Sequence, residues 1–204
     1  MKVLEERLEK IKRELVELHR LSEKAVELSL KAACGDDVSR YEVEKIEKQA
    51  DVLNTDIEND SLSAVALFQP VAKDLRFLST VMRLSGNYER ISDLALKIAR
   101  FNISKSDFVD KLNAMNVIIL EMFSIIENAL EGETDRMRDE LIFRDDKLDS
   151  LKQEIIDGLV GMELSDENLS ILLSAIHFER IGDIFSKNGA RIIFINEGRR
   201  VWIK

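Results

Sequence analysis

Apolar residues recur at every third or fourth position from the start of the chain. Leu4, Leu8, Ile11, Leu15, Leu18, Leu21, Ala25, Leu28 and Ala32 mark one face of a long first helix. Cys34-Gly35-Asp36-Asp37 ends it and opens the next. The second helix is predicted from Ser39 to Phe68, with Val43, Ile46, Ala50, Leu53 and Ile57 as its stripe. Pro70 suits the first turn of a third helix that reaches Phe101. The pattern then starts again. A fourth helix is expected from Ser106 to Leu130 and a fifth from Thr134 to Leu159. A sixth opens near Asp166 and continues through Ile192, Ile193, Phe194 and Ile195. Strand-like alternation is absent. The predicted fold is all-α, with two tandem antiparallel three-helix bundles over residues 1–103 and 104–204.

The two halves repeat in residues as well as in lengths. Tyr88-Glu89-Arg90-Ile91-Ser92-Asp93 on the third helix matches Phe178-Glu179-Arg180-Ile181-Gly182-Asp183 on the sixth, 90 residues later. Glu47 and Asp51 on the second match Asp145 and Asp149 on the fifth, 98 residues later. The first half therefore holds eight extra residues between its acidic pairs, placed near Leu67 to Leu75. Duplication is the simplest account.

Composition narrows the function classes. In 204 residues, 45% are hydrophobic and 34% charged, enough to build a core and too apolar for a disordered chain. No apolar run approaches the ~18–20 residues that a membrane span needs. The lone Cys34 excludes a disulfide scaffold, and the acids of the first fifteen residues do not fit a signal peptide, so a cytoplasmic location is expected. The net charge is −9, and neither half is basic, which argues against nucleic acid as a partner. Only Arg191, Arg199, Arg200 and Lys204 form a positive group, read as a solvated helix end.

A carboxylate pair one turn apart is weak evidence alone, since about seven such pairs arise by chance at this acid content. The repeated pairs have distinctive neighbours. Ser85 and Ala175 precede the glutamates by one turn, while Ser92 and Gly182 follow them, which allows a close helix approach or room for an ion. Apolar stripes on both sides turn Glu89 toward a helix interface: Phe77, Val81, Leu84, Ile91, Ala95 and Ile98 on one, Leu75, Leu78, Met82 and Leu96 on the other. Partly buried carboxylates of like charge require a cation. Arg90, Lys97, Arg180 or Lys187 can supply one as an ion pair. A metal is the other choice: four carboxylates with almost no His or Cys suit magnesium, calcium, manganese or ferric iron better than zinc. The spacing does not decide between them. His177 is read as a solvated or interface histidine, and Trp202 with Met82, Met115, Met122, Met137 and Met162 as core or interface filler.

The stretch Gln69-Pro70-Val71-Ala72-Lys73-Asp74-Leu75-Arg76, followed by Glu89-Arg90-Ile91-Ser92-Asp93, resembles the first half of PhoU proteins, the phosphate-transport accessory regulators. Glu179-Arg180-Ile181-Gly182-Asp183, with Ala190-Arg191-Ile192 beyond, is similar to their second half. The resemblance covers essentially the whole chain. It implies two three-helix bundles that bind multinuclear metal (iron, manganese, magnesium or zinc) through Glu/Asp-xxx-Asp motifs. The matching positions are Glu47, Asp51, Glu89 and Asp93 in one half, and Asp145, Asp149, Glu179 and Asp183 in the other. It further implies a negative regulator of phosphate uptake and phosphate-starvation signalling. The implied partners are subunits of the phosphate ABC transporter and a sensor histidine kinase, reached from the cytoplasm at the inner membrane. A homodimer is compatible with this reading. Leu94 and Ile184 stand where the family often has His after the motif Asp, and Lys97 and Lys187 where it has Asn, so a lysine beside the acids can take a cation's place.

Besides a purely structural bundle with unmetallated acids, two other readings are compatible with the chain. One is an accessory protein of a different phosphate transporter. The other is a carboxylate-metal enzyme in a helical bundle, against which stand the missing Glu-x-x-His, the two histidines and the absent Gly-rich phosphate loop. No catalytic residue is assigned.

Overall fold

The computed structural model describes residues 2–104, 107–199 and 201–203. These form six helices: α1 (Lys2–Ala33), α2 (Asp37–Phe68), α3 (Ala72–Ala99), α4 (Asp107–Glu131), α5 (Met137–Leu159) and α6 (Asp166–Glu197). No strand occurs among the described residues. Helices α1, α2 and α3 pack on one another, as do α4, α5 and α6. The predicted stripes become the core: Ile11, Leu15 and Leu18 of α1 and Val43, Ile46, Ala50 and Ile57 of α2 are buried. Three expectations need adjusting. Leu75 is exposed despite its place beside Glu89, and Met162 and Trp202, read as filler, also face outward, Trp202 at 86% exposure.

Helix ends follow local chemistry. The Asp36 side chain accepts the Val38 N–H at 3.1 Å and the Ser39 hydroxyl at 2.6 Å, which starts α2. Ser165 caps α6 by accepting the Asn168 N–H at 3.1 Å. Pro70 is not in the first turn of α3. It lies in a tight corner between Gln69 and Ala72, both in the left-handed region at φ 47°, and α3 begins only at Ala72.

That corner also holds the eight extra residues. Under the 98-residue offset the end of α5, Leu159, falls on Ser61, so α2 continues about two turns further, to Phe68. Under the 90-residue offset the start of α6 falls on Arg76, so α3 begins one turn early. The insertion therefore lengthens two helices and pushes their corner outward.

The halves share a core. Helix α1 packs on α4 and α3 on α6. His19, Tyr88, Phe123 and Phe185, one from each of these helices, are all buried and meet edge to face at centroid separations of 5.1, 5.1 and 4.6 Å. The Ile103 N–H donates to the Ala33 carbonyl at 2.9 Å, tying the connection out of α3 to the end of α1.

Candidate functional site

Glu47 and Asp51 stand one turn apart on α2, and Glu89 and Asp93 one turn apart on α3. The packing of α2 on α3 brings the four into one electrostatic neighbourhood. Glu89 is half-buried. Burial pushes its carboxyl above the usual range, the charges of Asp51, Asp93 and Glu47 push the same way, and Arg90 offsets them only in part. Asp93 accepts a hydrogen bond from the Lys97 ammonium at 2.7 Å. Asn54, one turn beyond Asp51, has its side-chain oxygen buried without a hydrogen-bond partner.

The second half gathers the matching residues differently. Asp145 is buried, Asp149 and Glu179 partly so, and Asp183 is exposed. Between Asp149 and Glu179 sits Lys152 of α5, donating to them at 3.0 and 2.8 Å. Burial alone would lower the pKa of this ammonium, yet the hydrogen bonds to Glu179 and Asp149 hold it above its usual value. Gly182 lets α5 approach this closely: a Cβ there would stand 2.5 Å from Leu148 Cδ1 and 3.4 Å from Asp145 Oδ1. Its counterpart Ser92 instead meets the Ser22 hydroxyl of α1 at 3.1 Å.

Of the four cations expected beside the motifs, Lys97 pairs with a motif carboxylate, Asp93. Lys152 was not anticipated. The signal for it lay in the duplication: the 98-residue offset that superposes the acidic pairs sets Lys152 on Asn54.

Among the described residues no three carboxylate, imidazole or thiol groups form a closed cation cage. The donor chemistry still distinguishes the halves. The first offers carboxylate oxygens, donors of the kind a hard cation takes, with Lys97 paired to Asp93 among them. The second already has an ammonium between two of its four carboxylates and does not fit a metal in this arrangement.

His177 sits where the halves meet, stacked on Phe101 at 6.0 Å. Burial first, then the charges of Arg180 and Lys97, lower its pKa. Cys34 is exposed at the end of α1, and partial burial raises its thiol pKa, which leaves it a poor nucleophile. Arg199 pairs with Glu197, while Arg200 and Lys204 of the terminal positive group lie outside the described residues.

The whole helical arrangement has solved counterparts. The crystal structure of PhoU from Pseudomonas aeruginosa superposes with a TM-score of 0.86 at 21% identity, covering 96% of this chain and 99% of that one. The phosphate transport system regulatory protein PhoU from Streptococcus pneumoniae gives 0.78, also at 21% identity, covering 97% and 99%. In sequence, a phosphate-specific transport system accessory protein PhoU homolog from Archaeoglobus fulgidus is 41% identical over the full length of both chains. A homolog of the same description from Aquifex aeolicus is 27% identical, covering 98% of this chain and 96% of its own. No helix among the described residues is long and apolar enough to cross a membrane. The PhoU domain model matches twice, over residues 15–101 and 112–192, once in each half of the duplication, and the chain belongs to the PhoU domain family.

Proposed function

We propose that this protein is a cytoplasmic regulator that restrains phosphate uptake by docking on subunits of a phosphate ABC transporter, and that it also engages a sensor histidine kinase. A protein of this family is an accessory or regulatory protein of phosphate transport, not an enzyme. The observation that carries the docking reading is the outward corner of α2 and α3. Leu67, Val71 and Leu75 stand there 71%, 75% and 43% exposed, on backbone held in a strained bend. A partner that covers this corner buries apolar surface that the fold leaves in water.

We further propose that the first acidic cluster takes a hard cation and the second does not. Glu47, Asp51, Glu89 and Asp93 would hold it, and the cation would supply positive charge that removes the repulsion among them and fastens α2 to α3. In the second half Lys152 performs that task. Docking is tested by co-purification of the tagged protein with the transporter's ATPase subunit. The wild type is expected to retain the subunit, and Leu67→Ser/Val71→Ser to lose it while keeping its helical content. Equal retention by the variant removes the corner from the docking surface.

A further inference from the structure

A cleft of about 440 Å³ opens where α3 and α6 pack together, closed on its outer side by the chain after α6. Its volume lies within the range of small-molecule sites, and a junction between domains is where such sites commonly form. The lining is unlike the rest of this acidic chain. Arg83 of α3 and Lys187 and Arg191 of α6 contribute to it, and among the described residues no Asp or Glu does. Neither Arg83 nor Lys187 has a carboxylate partner within salt-bridge distance among the described residues.

The absence of a partner for Lys187 is informative. Asp183 precedes it by four residues, as Asp93 precedes Lys97, and the first-half pair closes at 2.7 Å. Lys187 lines the cleft instead. The duplication carries the same message: under the 90-residue offset Arg83 corresponds to Leu173 and Arg191 to Phe101, so the two arginines belong to one side of the molecule only. Arg83 and Lys187, like charges in one cleft with no carboxylate partner among the described residues, are unfavourable together and await an anion.

Two further groups indicate its character. Ser186 is 95% buried, lines the cleft, and has a side-chain oxygen with no hydrogen-bond partner. Trp202 lines it too, 86% exposed, a flat apolar surface beside the cations. Arginine and lysine with a free hydroxyl suit phosphate oxygens, and an exposed indole suits an aromatic base. We infer that this cleft binds a nucleotide, its phosphates on Arg83, Lys187 and Ser186 and its base against Trp202. A ligand there touches both halves at once and fastens their junction.

Trp202 is the only tryptophan in the chain, so its fluorescence reports on the site directly. The full-length protein is titrated with ADP, with inorganic phosphate and with vesicles containing phosphatidic acid, and ADP binding is repeated by calorimetry. Saturable binding of ADP is expected, weakened about tenfold in each of Arg83→Gln and Lys187→Gln, both exposed positions that tolerate change. Trp202→Leu weakens it in calorimetry, and Lys12→Gln on α1 leaves it unchanged. The proposal is overturned by the absence of saturation up to about 10 mM ADP, or by binding indifferent to Arg83→Gln and Lys187→Gln. It is equally overturned if inorganic phosphate binds as tightly as ADP, or if the vesicles bind and ADP does not.

Discussion

Lys152 on α5 and Asn54 on α2 occupy the same place in the duplicated chain, one a cation and one a neutral amide. Lys152 spans Asp149 and Glu179 at 3.0 and 2.8 Å, whereas Asn54 brings only a neutral side chain whose oxygen is buried without a partner. In the second half two of the four carboxylates therefore share one ammonium. In the other, Glu89 is held above the normal carboxylate range by burial and by three neighbouring carboxylates. The duplicated frames thus differ in the charge at this position, as they also differ at Ser92 and Gly182.

Exchange at that position should transfer the property. Lys152→Asn removes two partly buried ion pairs and is expected to cost about 1 kcal/mol, or roughly 2–4 °C in Tm. Added Mn²⁺ should recover that loss and raise the bound metal to one additional equivalent per chain. Thermal scans with and without Mn²⁺ check both. A variant as stable as wild type, or indifferent to Mn²⁺, would contradict the role given to Lys152.

Glu89 should behave as a residue kept for binding at a cost in stability. Its raised pKa means that the folded state disfavours its charge, so the cost is present at neutral pH and is relieved as pH falls through that pKa. Glu89→Gln is accordingly expected to raise the metal-free Tm by about 1–3 °C, a small figure because the group is only half-buried and solvent screens its charge. The same variant should lose the stabilisation that Mn²⁺ gives to wild type. Scans at pH 7.5 in chelator and in Mn²⁺ separate the two effects.

His19 gives the shared core a pH dependence. Burial lowers its pKa from 6.5 to about 4, and its Nδ1 shares a 3.0 Å hydrogen bond with the Tyr88 hydroxyl, itself kept protonated by burial. Between those two values the unfolded chain binds the proton and the folded chain refuses it. Stability therefore falls as pH drops below about 6.5, by at most ~1.4 kcal/mol per unit, until about 4. Urea unfolding at pH 7.5 and pH 5 should show a smaller loss for His19→Gln than for wild type.

Gly182 is the closest contact behind the second cluster. Gly182→Ala places a methyl 2.5 Å from Leu148 Cδ1 and should cost about 1–3 kcal/mol through displacement of α5, measurable in urea. Ser92→Gly, at the matching place of the first half, should cost less, since it removes one hydroxyl contact with Ser22 and the helix propensity of serine.

The helices were legible because their stripes run unbroken. The boundaries of α2, α5 and α6 fall within three residues of those expected from capping residues and glycines. The corner at Pro70 was misread by two residues, since proline suits a first turn but also suits the bend before one. The repeat pointed to Glu47, Asp51, Glu89 and Asp93, whose charges act on one another at Glu89. Which cation answers the second-half acids was not legible, because Lys152 lies 27 residues before Glu179 and reaches it only through the α5–α6 packing that Gly182 permits. Trp202 was misplaced for a related reason: an aromatic residue near a chain end carries no periodicity to show which way it faces.

A cation site confined to the first half can be read from binding stoichiometry. Calorimetric titration with Mn²⁺ of the wild type, Glu89→Gln/Asp93→Asn and Glu179→Gln/Asp183→Asn tests it most directly. One equivalent is expected to bind to the wild type and to the second-half variant, with binding weakened by about a hundredfold or more in the first-half variant. Binding retained by the first-half variant and lost in the second-half variant would contradict it.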